Sequence, residues 1–451
     1  MGRHRTFQER TIIRGRKQNL LLAHGCGVGK TREGMYLIFH KPKPALILAP
    51  VSILETVWIY HYKKWMPSLT PVVLWNRSKK VQRRLLEEHH KVYICSYESA
   101  KSLYKDIVAK RFKTIVLDES NKARNYKSGN TALVMALAGI HTRGGKFKVH
   151  HAIPNRYAMS GTPAPNTLLE YWPQIMFVAG KNRAFHPNYY RFRDKYFIKI
   201  PITPLVFKYK FRMAMQAEFN KEMAPWIDVI KTEDVLPELS SFIEIRKIRL
   251  SPKERTAYND MKKYMMIETC NGTIVTNNAL TKCLCLRELT SGFLYTKQGV
   301  ESFGSSKLKE LDNLISEIGD NRVIIWYNYE HERKCIMARL GNRARWQGVP
   351  KDRKRILEEF EAGKFRYLVA NPQSLKYGQN MQYVHHMIFF SLSASYDDFE
   401  QCRRRILRDG QKETCAIYIL VARNSYDEAL LNIVKTKETR ANVTLNYFRG
   451  I

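Results

Sequence analysis

At 451 residues the chain is long enough for two or three domains, each with its own core. Its 76 Lys and Arg against 41 Asp and Glu leave a formal net charge of +35, an excess that points to a polyanionic partner and says little about fold. No run of about 18 apolar residues offers a membrane span, and the basic stretch Met1 to Lys17 lacks the apolar centre of a secretory signal.

In chain order, the short apolar runs Leu20–Ala23, Ala45–Ala49, Val92–Ser96, Thr114–Leu117 and Arg156–Ser160 predict buried parallel strands. Thr31–His40 and Ile53–Trp65 have the length and period of helices covering them. From about Trp172 to Leu239 the pattern changes. This stretch is rich in aromatic and basic residues (Tyr189, Tyr190, Arg191, Phe192, Arg193, Lys195, Tyr196, then Lys208, Lys210 and Arg212) and reads as a helical insertion. It suits a clamp on nucleic acid and a solvated face over a small core equally well. Strands at Arg322–Tyr327, Phe365–Ala370, Met387–Ser391 and Cys415–Val421, with helices at Lys307–Ile318, Glu330–Leu340 and Asp352–Ala362, repeat the first theme. The expected fold is α/β: two tandem lobes with parallel sheets. Lobe 1 spans 1–240, with the insertion at 172–240, and lobe 2 spans 241–451, with its core from about 307.

The eight cysteines are scattered without a CxxC pair, and only Cys283 and Cys285 lie close, as expected of reduced thiols in an intracellular protein. The adjacent pairs His89-His90, His150-His151 and His385-His386 point apart and read as ordinary polar residues, not metal ligands.

His24-Gly25-Cys26-Gly27-Val28-Gly29-Lys30-Thr31 follows a strand and opens a helix, the context a phosphate cradle requires. Gly25, Gly27 and Gly29 let backbone N–H groups approach phosphates at a helix N-terminus. Lys30 would reach the β- and γ-phosphates of a nucleoside triphosphate, and the Thr31 hydroxyl would bind Mg²⁺. The strict pattern has Gly at position 24, where this chain has His. After the apolar run Thr114–Leu117, Asp118 can hold the metal and Glu119 the attacking water. Far downstream, Arg405 and Arg408 sit three apart, on one face of an expected helix, where cationic charge could neutralise the γ-phosphoryl group in the transition state. Arg403 and Arg404 suit a solvated basic helix or a DNA-facing patch.

Taken in order, Phe7-Gln8, the loop 24–31, Ala49-Pro50-Val51-Ser52, Ser96-Tyr97-Glu98, Asp118-Glu119-Ser120-Asn121, Ser160-Gly161-Thr162-Pro163 and the string Gln401 to Gln411 resemble the successive motifs of superfamily 2 helicases of the Swi/Snf type. The resemblance covers nearly the whole chain, and it is most specific at Met159–Asn166 and at Arg408-Asp409-Gly410-Gln411. It implies that Gln8 reads adenine with Phe7 packed beside it, and that Ser160 and Thr162 couple hydrolysis to lobe movement. It also implies that Ser52 and Ser96 touch the tracked strand. Gly348 with Arg353, and Gly378-Gln379-Asn380, fall at strand-gripping and nucleotide-sensing turns, and Gln401, Arg405 and Arg408 would face ATP from the second lobe. Asn121 stands where the family usually has His or Ala, Arg404 where Gly is frequent, and Leu375-Lys376-Tyr377-Gly378 lacks a double Gly.

The implied activity is a DNA-dependent ATPase, using ATP and Mg²⁺, that tracks on DNA and remodels forked or branched DNA by branch migration, in replication, recombination or repair. A strand-separating DNA or RNA helicase and an ATP-gated DNA-binding clamp with little hydrolysis are the alternatives. The chain is expected to be a near-bare motor of a kind similar to those of large bacterial viruses. It would act as a monomer in a bacterial or infected-host cytoplasm, associated with the nucleoid.

Overall fold

The computed structural model describes every residue except 1–5, 26, 143–146, 182–183, 204–205, 236–239, 270–271, 276–278, 350–351, 376–380, 409 and 448–451. Gly378 with Gln379 and Asn380, together with Cys26 and Asp409, therefore lie outside the described residues. The chain divides into two compact units, Met1–Val235 with Thr439–Ile451, and Leu236–Glu438.

In the first unit the strands are β1 (Leu20–His24), β2 (Ala45–Leu48), β3 (Val72–Val73), β4 (Val92–Cys95), β5 (Thr114–Asp118), β6 (Asn155–Met159), β7 (Phe197–Thr203), β8 (Val206–Phe211) and β9 (Ile227–Ile230). Seven of them form one sheet in the order β3-β4-β2-β5-β6-β1-β9, and every pairing is parallel. The central strands are apolar without alternation because helices cover both faces, and β1, β2, β4 and β5 are buried throughout. Parallel strands share one carboxyl edge. His24, Ala49, Ser96, Asp118, Ser160 and Ile230 therefore all emerge on the same side, where α/β sheets present their sites.

The segment after Trp172 is more varied than a helical insertion. The helix Tyr171–Ala179 is buried along its whole length in the core. Tyr189–Tyr196 and Gln216–Met223 are helices, but β7 and β8 between them form an antiparallel hairpin, and β9 returns to flank β1 in the main sheet.

The second unit adds β10 (Ser241–Ile248), the hairpin pairs β11 (Met266–Thr269) with β12 (Gly272–Val275) and β13 (Phe293–Thr296) with β14 (Gly299–Ser302), and then β15 (Val323–Trp326), β16 (Ala344–Trp346), β17 (Tyr367–Ala370), β18 (His386–Phe389) and β19 (Cys415–Ala422). Its six-stranded sheet runs β10-β19-β18-β15-β17-β16, again all parallel. The helices Ser306–Ile318, Glu330–Leu340 and Arg353–Glu361 fall where their 3.6-residue period predicts them. Two α/β units with parallel sheets are thus the observed architecture. Among the described residues no helix is long and apolar enough to cross a membrane.

Candidate active site

The helix α1 (Thr6–Lys17) precedes β1, and α2 (Lys30–His40) opens directly from the loop that ends β1. Gly29 lies in the left-handed region, with φ 99°, which a side chain would strain. The Lys30 ammonium donates to the carbonyls of His24 (2.8 Å) and Gly25 (2.9 Å), so a cation sits across the mouth of the loop it belongs to. Gln8 on α1 is buried, and its Nε2 donates to Val28 O at 3.2 Å, tying α1 to the same loop.

Beneath this loop lies a charged cluster absent from the sequence-based expectation. His24 is fully buried, with Nδ1 2.8 Å from Glu33 Oε2 on α2 and Nε2 2.8 Å from Asp228 Oδ2 on β9. Asp228 also accepts from the Thr11 hydroxyl (2.7 Å) and from Arg14 (3.2 Å), both on α1. Burial alone would lower the His24 pKa, but the Glu33 charge and the bonds to both carboxylates outweigh it and raise it to about 9. Burial would likewise raise Asp228, yet His24, Thr11 and Arg14 hold it well below the usual carboxylate range. The imidazolium therefore bridges two buried carboxylates, and four elements meet on it.

The acidic pair closes the other side. Burial raises the Asp118 carboxyl above its ordinary value, opposed by a 2.8 Å bond from Trp58 Nε1, the Lys30 charge and the Glu119 N–H. Trp58 reaches Asp118 from a helical run, Val51–Trp65, whose middle part, Leu54–Ile59, is π-helical, a form concentrated at functional sites. Glu119 adopts φ 49° and ψ 55°, left-handed backbone that costs a non-Gly residue about 1–3 kcal/mol. The Tyr97 hydroxyl donates to Asp118 O at 3.0 Å, and burial, followed by the charges of Asp118 and Glu119, pushes its pKa well up. Asn121 Nδ2 donates to Thr162 Oγ1 at 3.4 Å, while Ser120 bonds Gln174, which in turn donates to Pro163 O. With the Thr162 N–H donating to Ser160 Oγ at 3.2 Å, the acidic motif and the Ser160–Pro163 motif are one bonded network within the first unit.

The remaining expected residues are placed unevenly. Ser52 is half-buried on the carboxyl edge, and Phe7 is half-buried on α1. Ser96 is buried and its hydroxyl accepts the Ser99 N–H at 3.0 Å, capping a helix, so it has almost no surface to offer a strand. Arg353, in the second unit, is half-buried with its Nε unpartnered among the described residues, and burial lowers its pKa. Gly348 has φ 74°.

Arg405 and Arg408 do not share a helical face. The helix Tyr396–Arg403 ends just before them, because the Arg405 N–H donates to Cys402 O, an i–3 bond, and the Arg405 carbonyl accepts from the distant Met381 N–H at 3.1 Å. Arg405 is buried, and Arg408 donates from Nε to the Arg404 carbonyl at 2.9 Å. Nor are Arg403 and Arg404 a solvated patch. Both pair with the buried Glu400, at 3.3 and 2.6 Å, and hold its carboxyl below the ordinary range although burial alone would raise it. Gln401 is buried beside them. Gln411 is structural: its Nε2 donates to the carbonyls of Val384 and Ile406, and its Oε1 accepts from the Lys412 and Glu413 N–H groups.

Sequence comparison agrees with this geometry. Residues 10–291 match the SNF2-related domain, and residues 306–410 match the helicase conserved C-terminal domain. Protein p41 of Acyrthosiphon pisum secondary endosymbiont phage 1 is 24% identical over 93% of this chain and 93% of its own length. An uncharacterized ATP-dependent helicase of Mycoplasma pneumoniae is 25% identical over 99% of this chain, which spans only 43% of that relative. The DNA repair and recombination protein RAD54-like of Gallus gallus is 23% identical over 90% of this chain and 62% of its own length. The Hef helicase domain of Pyrococcus furiosus shares the fold, with a TM-score of 0.55 at 15% identity over 96% of this chain and 98% of that one. With one family matched over more than half of its length and a helicase C-terminal domain following it, the chain belongs to the SNF2-related family of superfamily 2 ATP-dependent helicases.

Proposed function

We propose that the protein is a DNA-dependent ATPase that moves along duplex DNA and remodels forked or branched DNA. The observation that carries this reading is the convergence, on one carboxyl edge, of the Lys30 loop, Asp118 and the strained Glu119. Lys30, held on two loop carbonyls, exchanges them for the β- and γ-phosphate oxygens of ATP. The residues fit Mg²⁺: Thr31 opens α2 next to Lys30, and Asp118 is a buried carboxylate within range of the Lys30 charge. When bound there, the ion would neutralise charge on the phosphate oxygens. Glu119 orients water and accepts its proton, and its backbone is fixed for that by the Asp118 carboxylate. Gln8 and Phe7 read the base.

From the second unit, Arg405 and Arg408, with Gln401 beside them, supply cationic stabilisation of the transferring phosphoryl group. The Asn121–Thr162 bond carries the nucleotide state from the acidic motif to Ser160 and Thr162. Ser52 and Arg353, both half-buried, contact the DNA backbone. Gly378 serves nucleotide sensing. The assignment is tested by ATPase turnover with single-stranded, duplex, forked and four-way DNA, with RNA as a control. Duplex and branched DNA should raise turnover and RNA should not; a rate indifferent to every nucleic acid would support the ATP-gated clamp instead.

A further inference from the structure

The β7–β8 hairpin has no part in the nucleotide site, yet its construction is unusual. Its root is rigid. Phe197 and Phe211, paired across the hairpin, meet edge to face at 5.4 Å and pack on Phe192 and Phe219, both fully buried. The Arg193 guanidinium lies 4.6 Å over the Tyr209 ring and braces the arm from the preceding helix. Beyond this root apolar side chains stay exposed on both faces: Ile198 is 45% exposed, and Ile200 and Phe207 are 38% exposed. Isolated two-stranded hairpins are marginal in water, so a braced one that leaves aliphatic and aromatic side chains exposed invites a partner.

The cations identify the partner. Between Asp194 and Glu218 the chain has five Lys and Arg and no acid. Lys195 is paired with Glu218 and Glu222, whereas among the described residues no carboxylate pairs with Lys199, Lys208 or Lys210. The register sets Ile198 opposite Lys210 and Ile200 opposite Lys208 on one face, and on the other Lys199 stands over the Phe207 ring at 3.6 Å. Protein interfaces are depleted in Lys at their centres, which disfavours a protein partner. A bilayer would have to bury a Lys whichever face entered. Phosphates alone would leave the isoleucines and Phe207 unused. A polyanion with apolar planes, spaced like alternating Lys and apolar side chains, describes nucleotides whose bases are unpaired.

The geometry points to the β7–β8 hairpin as a pin that engages unpaired bases where a DNA duplex opens, with Ile198, Ile200 and Phe207 against the bases and Lys199, Lys208 and Lys210 on the flanking phosphates. This rests on DNA being the track, and it adds a base contact to a motor whose other expected contacts are to the backbone.

Two variants test it: Ile198→Ser with Ile200→Ser and Phe207→Ser, and Lys199→Gln with Lys208→Gln and Lys210→Gln. Each is titrated against blunt duplex and against a fork with 2-aminopurine at its first unpaired position, with duplex-stimulated ATPase and the far-UV melt as checks on folding. The apolar variant should lose the preference for the fork by about tenfold, together with the 2-aminopurine response, while its duplex-stimulated ATPase persists. The charge variant should weaken both substrates and reduce the salt slope by about 2, from about −0.7 per single-strand phosphate contact. Phe207→Trp should keep the preference even if the triple variants fold poorly. An apolar variant that retains fork preference and signal overturns the proposal, as does one whose only change is conversion of a dimer to a monomer in sedimentation. If DNA of no form stimulates wild-type ATPase, the motor reading fails, while the fork titration still decides whether the pin exists.

Discussion

Replacing Asp228 with Asn tests whether the buried cluster holds the phosphate loop. The carboxylate accepts from His24, Thr11 and Arg14, so the substitution keeps the shape of the site and removes the charge that three donors share. Moving a histidine from 6.5 to about 9 corresponds to about 3 kcal/mol of preference for its protonated form in the folded chain. Glu33 stays beside the imidazolium when Asp228 is replaced, so the variant should lose only part of this, about 1–2 kcal/mol around neutral pH.

The pH dependence has a definite sign. Because His24 holds its proton more tightly when folded, its contribution is complete below about pH 6.5, declines as pH rises, and is gone above about pH 9. The wild-type first unit should therefore lose about 3 kcal/mol across that window, whereas the Asp228→Asn variant starts lower and declines less. Five of the seven tryptophans (Trp58, Trp65, Trp75, Trp172 and Trp226) lie in the first unit, so urea titration followed by their fluorescence reports chiefly on it. Equal midpoints near pH 7, or parallel alkaline declines in the two proteins, would refute the bridging role of His24.

Lys30→Ala should reduce DNA-stimulated ATPase by more than about 10²-fold and Glu119→Gln by about 10²- to 10⁴-fold, with DNA affinity nearly unchanged in filter binding. Trp58→Phe removes the bond that favours the ionised form of Asp118, so the acid limb of the ATPase pH profile should move to higher pH; an unmoved limb would place Asp118 outside the rate-determining chemistry. Arg408→Ala should lower kcat by about 10³-fold or more with little change in KM, and a change confined to KM would remove its transition-state role. Arg405 is a poorer probe, since it is buried and its removal would also unsettle the second unit.

Most of the two sheets was legible because strands covered on both faces are buried throughout and apolar at their centres, as β1, β2, β4, β5, β15 and β19 are. β9 and β10 carried no such mark. β9 contains Asp228, whose burial makes sense only once His24, 204 residues away, supplies the opposite charge. β10 is a sheet edge whose first three residues are exposed and whose apolar residues are interrupted by Glu244, Arg246 and Lys247. The nucleotide loop and the acidic pair were legible because each is a local string with its own chemistry. Trp58, Tyr97 and Thr11 were not, because each matters through one contact made across the fold. The helix expected through Arg405 and Arg408 failed for the same reason: what ends it is the N–H of Met381, which no local pattern announces.

His24 occupies a position where the strict loop pattern has Gly, and the geometry explains why this does no harm. What Lys30 uses is the carbonyl of residue 24, not the space where a side chain would stand. The imidazole turns the other way, into the core, where it neutralises Glu33 and Asp228. The need for a glycine falls instead on Gly25, where a Cβ would run into the hydroxyl and backbone nitrogen of Thr232. The Gly25 N–H donates to Ile230 O at 2.7 Å, and Arg14 donates to the carbonyls of Ala224 (2.8 Å) and Pro225 (3.1 Å) just before β9. The loop is therefore built against the end of the same segment that carries the β7–β8 hairpin. Restoring Gly at position 24 would satisfy the pattern and leave two buried carboxylates facing each other without their shared cation, a worse arrangement than the one the chain has.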